Sequence, residues 1–179
     1  MKNIDFYSFL VETLEAAGVI GAYVALSLVG VSILTYYSND RITMCVTDED
    51  VTLKTLLGKI KGKKSIYTNA TYKHAKNILK SMGIFEEFEI IFDIKDANYI
   101  AKPDLNSYLM MKKKLGLNDS NISKSIFFED TAKNLKPASE LGMSTAWIEN
   151  DFNRKEAESL REYINFTGSD IKSILSNML

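Results

Sequence analysis

Downstream of Asp40 the apolar positions fall into short runs that trade places with amphipathic stretches. Ser65-Ile66-Tyr67 has the pattern of a short buried strand that ends in Thr68-Asn69. Ala75, Ile78, Leu79 and Met82 then recur at helical spacing, with Gly83 as the stop. Ile90-Ile91-Phe92 reads as a further strand, and Asp104 as the N-cap of a helix over Leu105–Leu115 closed by Gly116. Ser125–Phe128 is a predicted strand, Thr131–Leu141 a helix ended by Gly142, and Ser144–Ile148 a strand. Gly168-Ser169-Asp170 opens a last helix through Ile171, Ile174, Leu175 and Met178. Strands and helices joined by short links predict an α/β fold with a mostly parallel sheet covered on both faces.

Upstream of Asp40 the pattern changes. Phe6, Leu10, Val11 and Leu14 predict a helix over Met1–Glu15, and no charge occurs between Glu15 and Asp40. Three readings fit residues 16–39: a membrane span, a buried helix-plus-strand pair, or sequence unrelated to an ancestral domain. The chain thus divides into an apolar segment, 1–40, and a core domain, 41–179.

Composition narrows the function classes. The chain has 179 residues, 46% of them apolar, enough for one real core. A net charge of −1 gives no basic excess, so nucleic acid is not expected as a partner. The single cysteine, Cys45, excludes an internal disulfide and suits a cytoplasmic setting, with a membrane-anchored form as the alternative. Lys112-Lys113-Lys114 reads as a solvated helix face.

The candidate chemistry sits at predicted strand ends, where open α/β sheets place ligands. Thr68 and the backbone amides after it can hold phosphate oxygens. Lys102 supplies a point charge for the same anion. Glu129 and Asp130 are adjacent hard oxygen ligands suited to Mg2+, and Asn134 lies one helical turn on, where it could orient Asp130.

With Tyr67-Thr68-Asn69-Ala70, His74-Ala75, Gly83-Ile84, Lys102-Pro103, Phe127-Phe128-Glu129-Asp130 through Asn134, Ala138 and Gly142-Met143 in this order, the chain resembles the haloacid dehalogenase superfamily, and within it the pyrimidine 5'-nucleotidase-like branch. The resemblance implies a Rossmann-like three-layer α/β/α fold, in which the short front end of this chain leaves the cap domain reduced or absent. It implies Mg2+-dependent hydrolysis of a small phosphomonoester, such as a pyrimidine nucleoside 5'-monophosphate, through an aspartyl-phosphate. Thr68, Asn69 and Lys102 would hold phosphate, Lys102 would also face the nucleophile, and Glu129 and Asp130 would hold the metal.

The departure is at the front. The family places a strand ending in Asp-x-Asp-x-Thr, then a cap, before the threonine motif, and the 67 residues ahead of Thr68 are too few for both. Asp48-Glu49-Asp50-Val51-Thr52 offers Asp48 or Asp50 as nucleophile, although the same residues fit an acidic N-cap before a helix carrying Leu53, Leu56 and Leu57. Val31–Tyr37 and Ile42–Val46 are the expected fillers of the central strand position. A non-catalytic remnant that keeps phosphate- or metal-site residues is therefore the alternative to an active enzyme.

Overall fold

A computed structural model of the chain describes residues 24–26, 50–152 and 154–179. In chain order the elements are β1 (Val24–Leu26), α1 (Val51–Lys59), β2 (Lys64–Tyr67), α2 (Tyr72–Ser81), β3 (Ile90–Phe92), α3 (Leu105–Lys114), β4 (Ile126–Glu129), α4 (Leu135–Glu140), β5 (Ser144–Ile148), α5 (Arg154–Ser159), β6 (Phe166–Gly168) and α6 (Ile171–Met178). The strands form one six-stranded sheet in the order β3-β2-β1-β4-β5-β6, and every pairing is parallel. This is the expected α/β architecture.

The pleat sorts side chains onto two faces, because successive strand residues point opposite ways. Tyr67, Phe127 and Trp147 pack on one side with Tyr108, Met111, Leu135 and Ala138 from α3 and α4. Their strand neighbours Ile66, Phe128 and Ala146 pack on the other with Leu53, Ala75, Leu79 and Ile174 from α1, α2 and α6. Both faces are thus buried, as a parallel sheet requires.

The helix ends follow the sequence signals. Asp50, Asp104 and Asp170 cap α1, α3 and α6 through their carboxylates. Gly83, Gly116 and Gly142 follow helices with φ of 70°, 70° and 94°, the left-handed region that glycine enters without steric cost.

The centre of the sheet departs from expectation. The place between β2 and β4 is filled by Val24–Leu26, not by Val31–Tyr37 or Ile42–Val46, the runs that the apolar pattern favours. Those two runs, Asp48 and the predicted helix Met1–Glu15 lie outside the described residues. Among the described residues no helix is long and apolar enough to cross a membrane. The central strand therefore comes from the segment upstream of Asp40.

Between β3 and α3 the chain runs as a loop organised by Asp93. Its buried carboxylate accepts from the backbone N–H of Tyr72 (2.7 Å), Lys95 (3.0 Å) and Asp96 (2.9 Å). Burial alone would push this carboxyl up, but the three N–H donors and the Lys114 charge outweigh it and hold it below the usual carboxylate range. A carboxyl lowered in the native state stabilises fully above its unfolded pKa, about 3.9, and loses that contribution as pH falls through the lower native value. Asp93→Asn is therefore expected to cost about 2 kcal/mol in urea denaturation at pH 7. The gap to wild type should close below about pH 4; a gap independent of pH would contradict this.

Candidate active site

Two strand ends and one loop build the site. β2 delivers Thr68 and Asn69, β4 delivers Glu129 and Asp130, and the loop after β3 carries Lys102. All lie at the carboxyl end of the sheet.

Thr68 is buried, and its N–H donates to the Phe92 carbonyl (3.0 Å), extending the β2–β3 ladder by one bond. Its hydroxyl accepts from the Ala70 N–H at 3.0 Å, which leaves its own proton to donate. Asn69, expected on phosphate, spends both side-chain polar atoms on Lys102. Its Oδ1 accepts from the Lys102 N–H (2.8 Å) and its Nδ2 donates to the Lys102 carbonyl (3.4 Å). It acts as a clamp that fixes the backbone from which the lysine side chain departs.

Lys102 is buried, not a mobile surface charge. Its Nζ donates to Glu129 Oε2 at 2.7 Å and to the Tyr67 carbonyl at 3.3 Å. The ammonium also stands 4.9 Å from the Tyr67 ring centroid and 5.5 Å from that of Phe127, within cation–π range. Leu26, the last residue of β1, pairs with Ile66 and Phe128, one residue short of Tyr67 and Glu129. The lysine therefore bridges from β2 to β4 just past the end of β1.

Glu129 is wholly buried, and both its oxygens are engaged: Oε2 by Lys102, Oε1 by the N–H groups of Asp130 and Thr131 at 3.2 Å each. Burial pushes its carboxyl up, yet the Lys102 charge and these hydrogen bonds prevail and keep it ionised. Asp130 shows the opposite balance. Burial, together with the hydrogen bond and negative charge of Glu129, pushes its carboxyl up to about 7. Its backbone carbonyl accepts from Trp147 Nε1 and Asn150 Nδ2, both at 2.8 Å, and its Oδ1 accepts from the Thr131 hydroxyl at 3.3 Å.

Asn134 is buried one turn beyond Asp130. Its carbonyl accepts from the Tyr108 hydroxyl at 2.6 Å, while its side-chain Oδ1 has no partner among the described residues. Asp50 makes its described contacts at the start of α1. Its carboxylate accepts from the Leu53 N–H at 2.9 Å and from Lys172 Nζ at 3.1 Å, so it caps α1 and ties α1 to α6. None of those contacts is with Thr68, Lys102 or Asp130. Asp48 lies outside the described residues.

Trp147 and Asn150 were not among the expected site residues. The signal for Asn150 was its position just past a strand end, on the rim where the other site residues gather.

Magnesium, implied by the resemblance, binds through one or two carboxylates with near-ideal octahedral geometry. Both oxygens of Glu129 are already committed, which leaves Asp130 as the carboxylate on offer in this cluster. Among the described residues no group of three or more Asp, Glu, His or Cys could hold a metal. Asp130 is therefore the described carboxylate that would hold such an ion.

A model of the haloacid dehalogenase-like hydrolases matches residues 36–142, more than half of the chain. The chain belongs to the haloacid dehalogenase-like hydrolase family. Solved structures of the family share its fold. A dehalogenase in an intermediate complex superposes with a TM-score of 0.59 at 20% identity, over 71% of this chain and 55% of that one. The L-2-haloacid dehalogenase of Xanthobacter autotrophicus, with chloropropionic acid covalently bound, gives 0.54 at 16% identity, over 69% and 58%. A haloacid dehalogenase-like protein of Streptococcus pneumoniae gives 0.56 at 16% identity, over 73% and 60%. The chain spans between half and two thirds of the length of these structures. No curated protein matches the sequence.

The Lys102–Glu129 pair is buried at both ends, so removing one partner strands a charge. Lys102→Met is expected to cost about 3–5 kcal/mol in urea denaturation. Adding Glu129→Gln to it should recover a large part of that loss. Strict additivity of the two changes would contradict a coupled pair.

Proposed function

We propose that this family member binds the phosphate group of a small phosphomonoester without turning it over through an aspartyl-phosphate. The observation that carries this is the identity of the central strand. Leu26 ends β1 under the Lys102–Glu129 bridge, and the sequence continues Ser27-Leu28-Val29-Gly30. The first carboxylate downstream of Leu26 is Asp40. None of residues 27–39 can supply a carboxylate at the end of the central strand. The anion-holding half of the site remains: the Thr68 hydroxyl with its own proton to donate, and Lys102 oriented by Asn69. A small phosphorylated metabolite, such as a pyrimidine nucleoside 5'-monophosphate, is the ligand class this half suits.

The competing reading is Mg2+-dependent hydrolysis of the same ligand. It is favoured by the convergence of Lys102, Glu129 and Asp130 at one point. Phosphate release separates the two. With a panel of nucleoside monophosphates, with and without Mg2+, no release above background is expected, while calorimetry should detect binding that Thr68→Ala weakens about tenfold. Catalytic release that disappears on changing Asp48 to Asn would overturn the binding-only reading.

A further inference from the structure

Resting on that anion-binding reading, we propose that Glu129 is an internal anion which occupies the place of a ligand's negative charge on Lys102, and so determines which ligands the site accepts. The geometry is that of a filled site. The ammonium faces a carboxylate oxygen at 2.7 Å, with the lysine side chain 4% and the glutamate side chain 0% exposed. The second carboxylate oxygen is pinned by two backbone N–H groups, so Glu129 cannot swing aside without abandoning them. A dianion arriving at Thr68 meets a neutral Lys102–Glu129 pair with the Asp130 carboxyl beside it.

Such a site binds a phosphate dianion more weakly than one whose lysine charge is unmatched. Removing the carboxylate while keeping its shape tightens binding, because a buried ammonium without its counter-ion gains from any anion that reaches it. A glutamate that serves instead as a metal ligand makes the opposite prediction: its loss weakens phosphate binding.

Isothermal titration with inorganic phosphate, without metal, tests this in the full chain. Glu129→Gln should bind at least about tenfold tighter than wild type, and the gain should vanish in Lys102→Met/Glu129→Gln. Glu129→Asp, which draws the carboxylate back but keeps its charge, should fall between Glu and Gln. It also decides the matter if Glu129→Gln does not fold: tightening supports the proposal and unchanged or weaker binding overturns it. Equal or weaker binding by folded Glu129→Gln overturns it too, as does a gain that survives the loss of Lys102. If wild-type binding still depends on Thr68 in those cases, the anion-binding reading stands alone. Absence of phosphate binding in every variant overturns both.

Discussion

The parallel pairing of Val24–Leu26 with β2 on one side and β4 on the other fixes everything else in the molecule. It sets β2 and β4 two strand spacings apart, roughly 10 Å, the gap that the Lys102 side chain and Glu129 close together above the end of β1. It also satisfies two rows of backbone groups in the middle of a sheet buried on both faces. Left unpaired, each such group would cost about 1–3 kcal/mol, against a typical domain stability of only about 5–15 kcal/mol.

The same strand decides the chemistry. Family membership brings with it a site at the carboxyl end of the sheet, and that site is assembled here in part. Asn69, Lys102, Glu129 and Asp130 are joined in a chain of hydrogen bonds, and Thr68 adjoins Asn69. Asn69 holds the Lys102 backbone, Lys102 holds Glu129, and Glu129 organises the start of the Asp130 turn. A hydrogen-bonded chain of this kind is well suited to rigidity and recognition. The residues that follow Leu26 in the sequence, serine, leucine, valine and glycine, include no carboxylate.

Much of this was legible in the residues. Strand ends at Tyr67 and Phe128-Glu129, glycine stops at 83, 116 and 142, and aspartate caps at 104 and 170 rest on local chemistry, so spacing alone locates them. The dual reading of Asp50 resolves for the same reason, since an N-cap is a contact three residues long. β1 was not legible. Residues 16–39 are uncharged throughout, with no period to separate helix from strand, and only pairing with Lys64–Ile66 and Ile126–Phe128 selects Val24–Leu26. The strand Phe166–Gly168, at the edge of the sheet, and the helix Arg154–Ser159 escaped because both are short. The engagement of Glu129 escaped for a different reason. Its partner is 27 residues away in sequence, and nothing near Glu129 signals that the lysine claims one oxygen while the following turn claims the other.

Amide hydrogen exchange followed by mass spectrometry interrogates the central strand directly. A peptide covering Val24–Leu26 should exchange as slowly as peptides covering Lys64–Tyr67 and Ile126–Glu129, because a strand hydrogen-bonded on both sides opens only with the whole sheet. Rapid exchange at Val24–Leu26 beside protected β2 and β4 would contradict its place in the sheet, and with it the binding-only proposal.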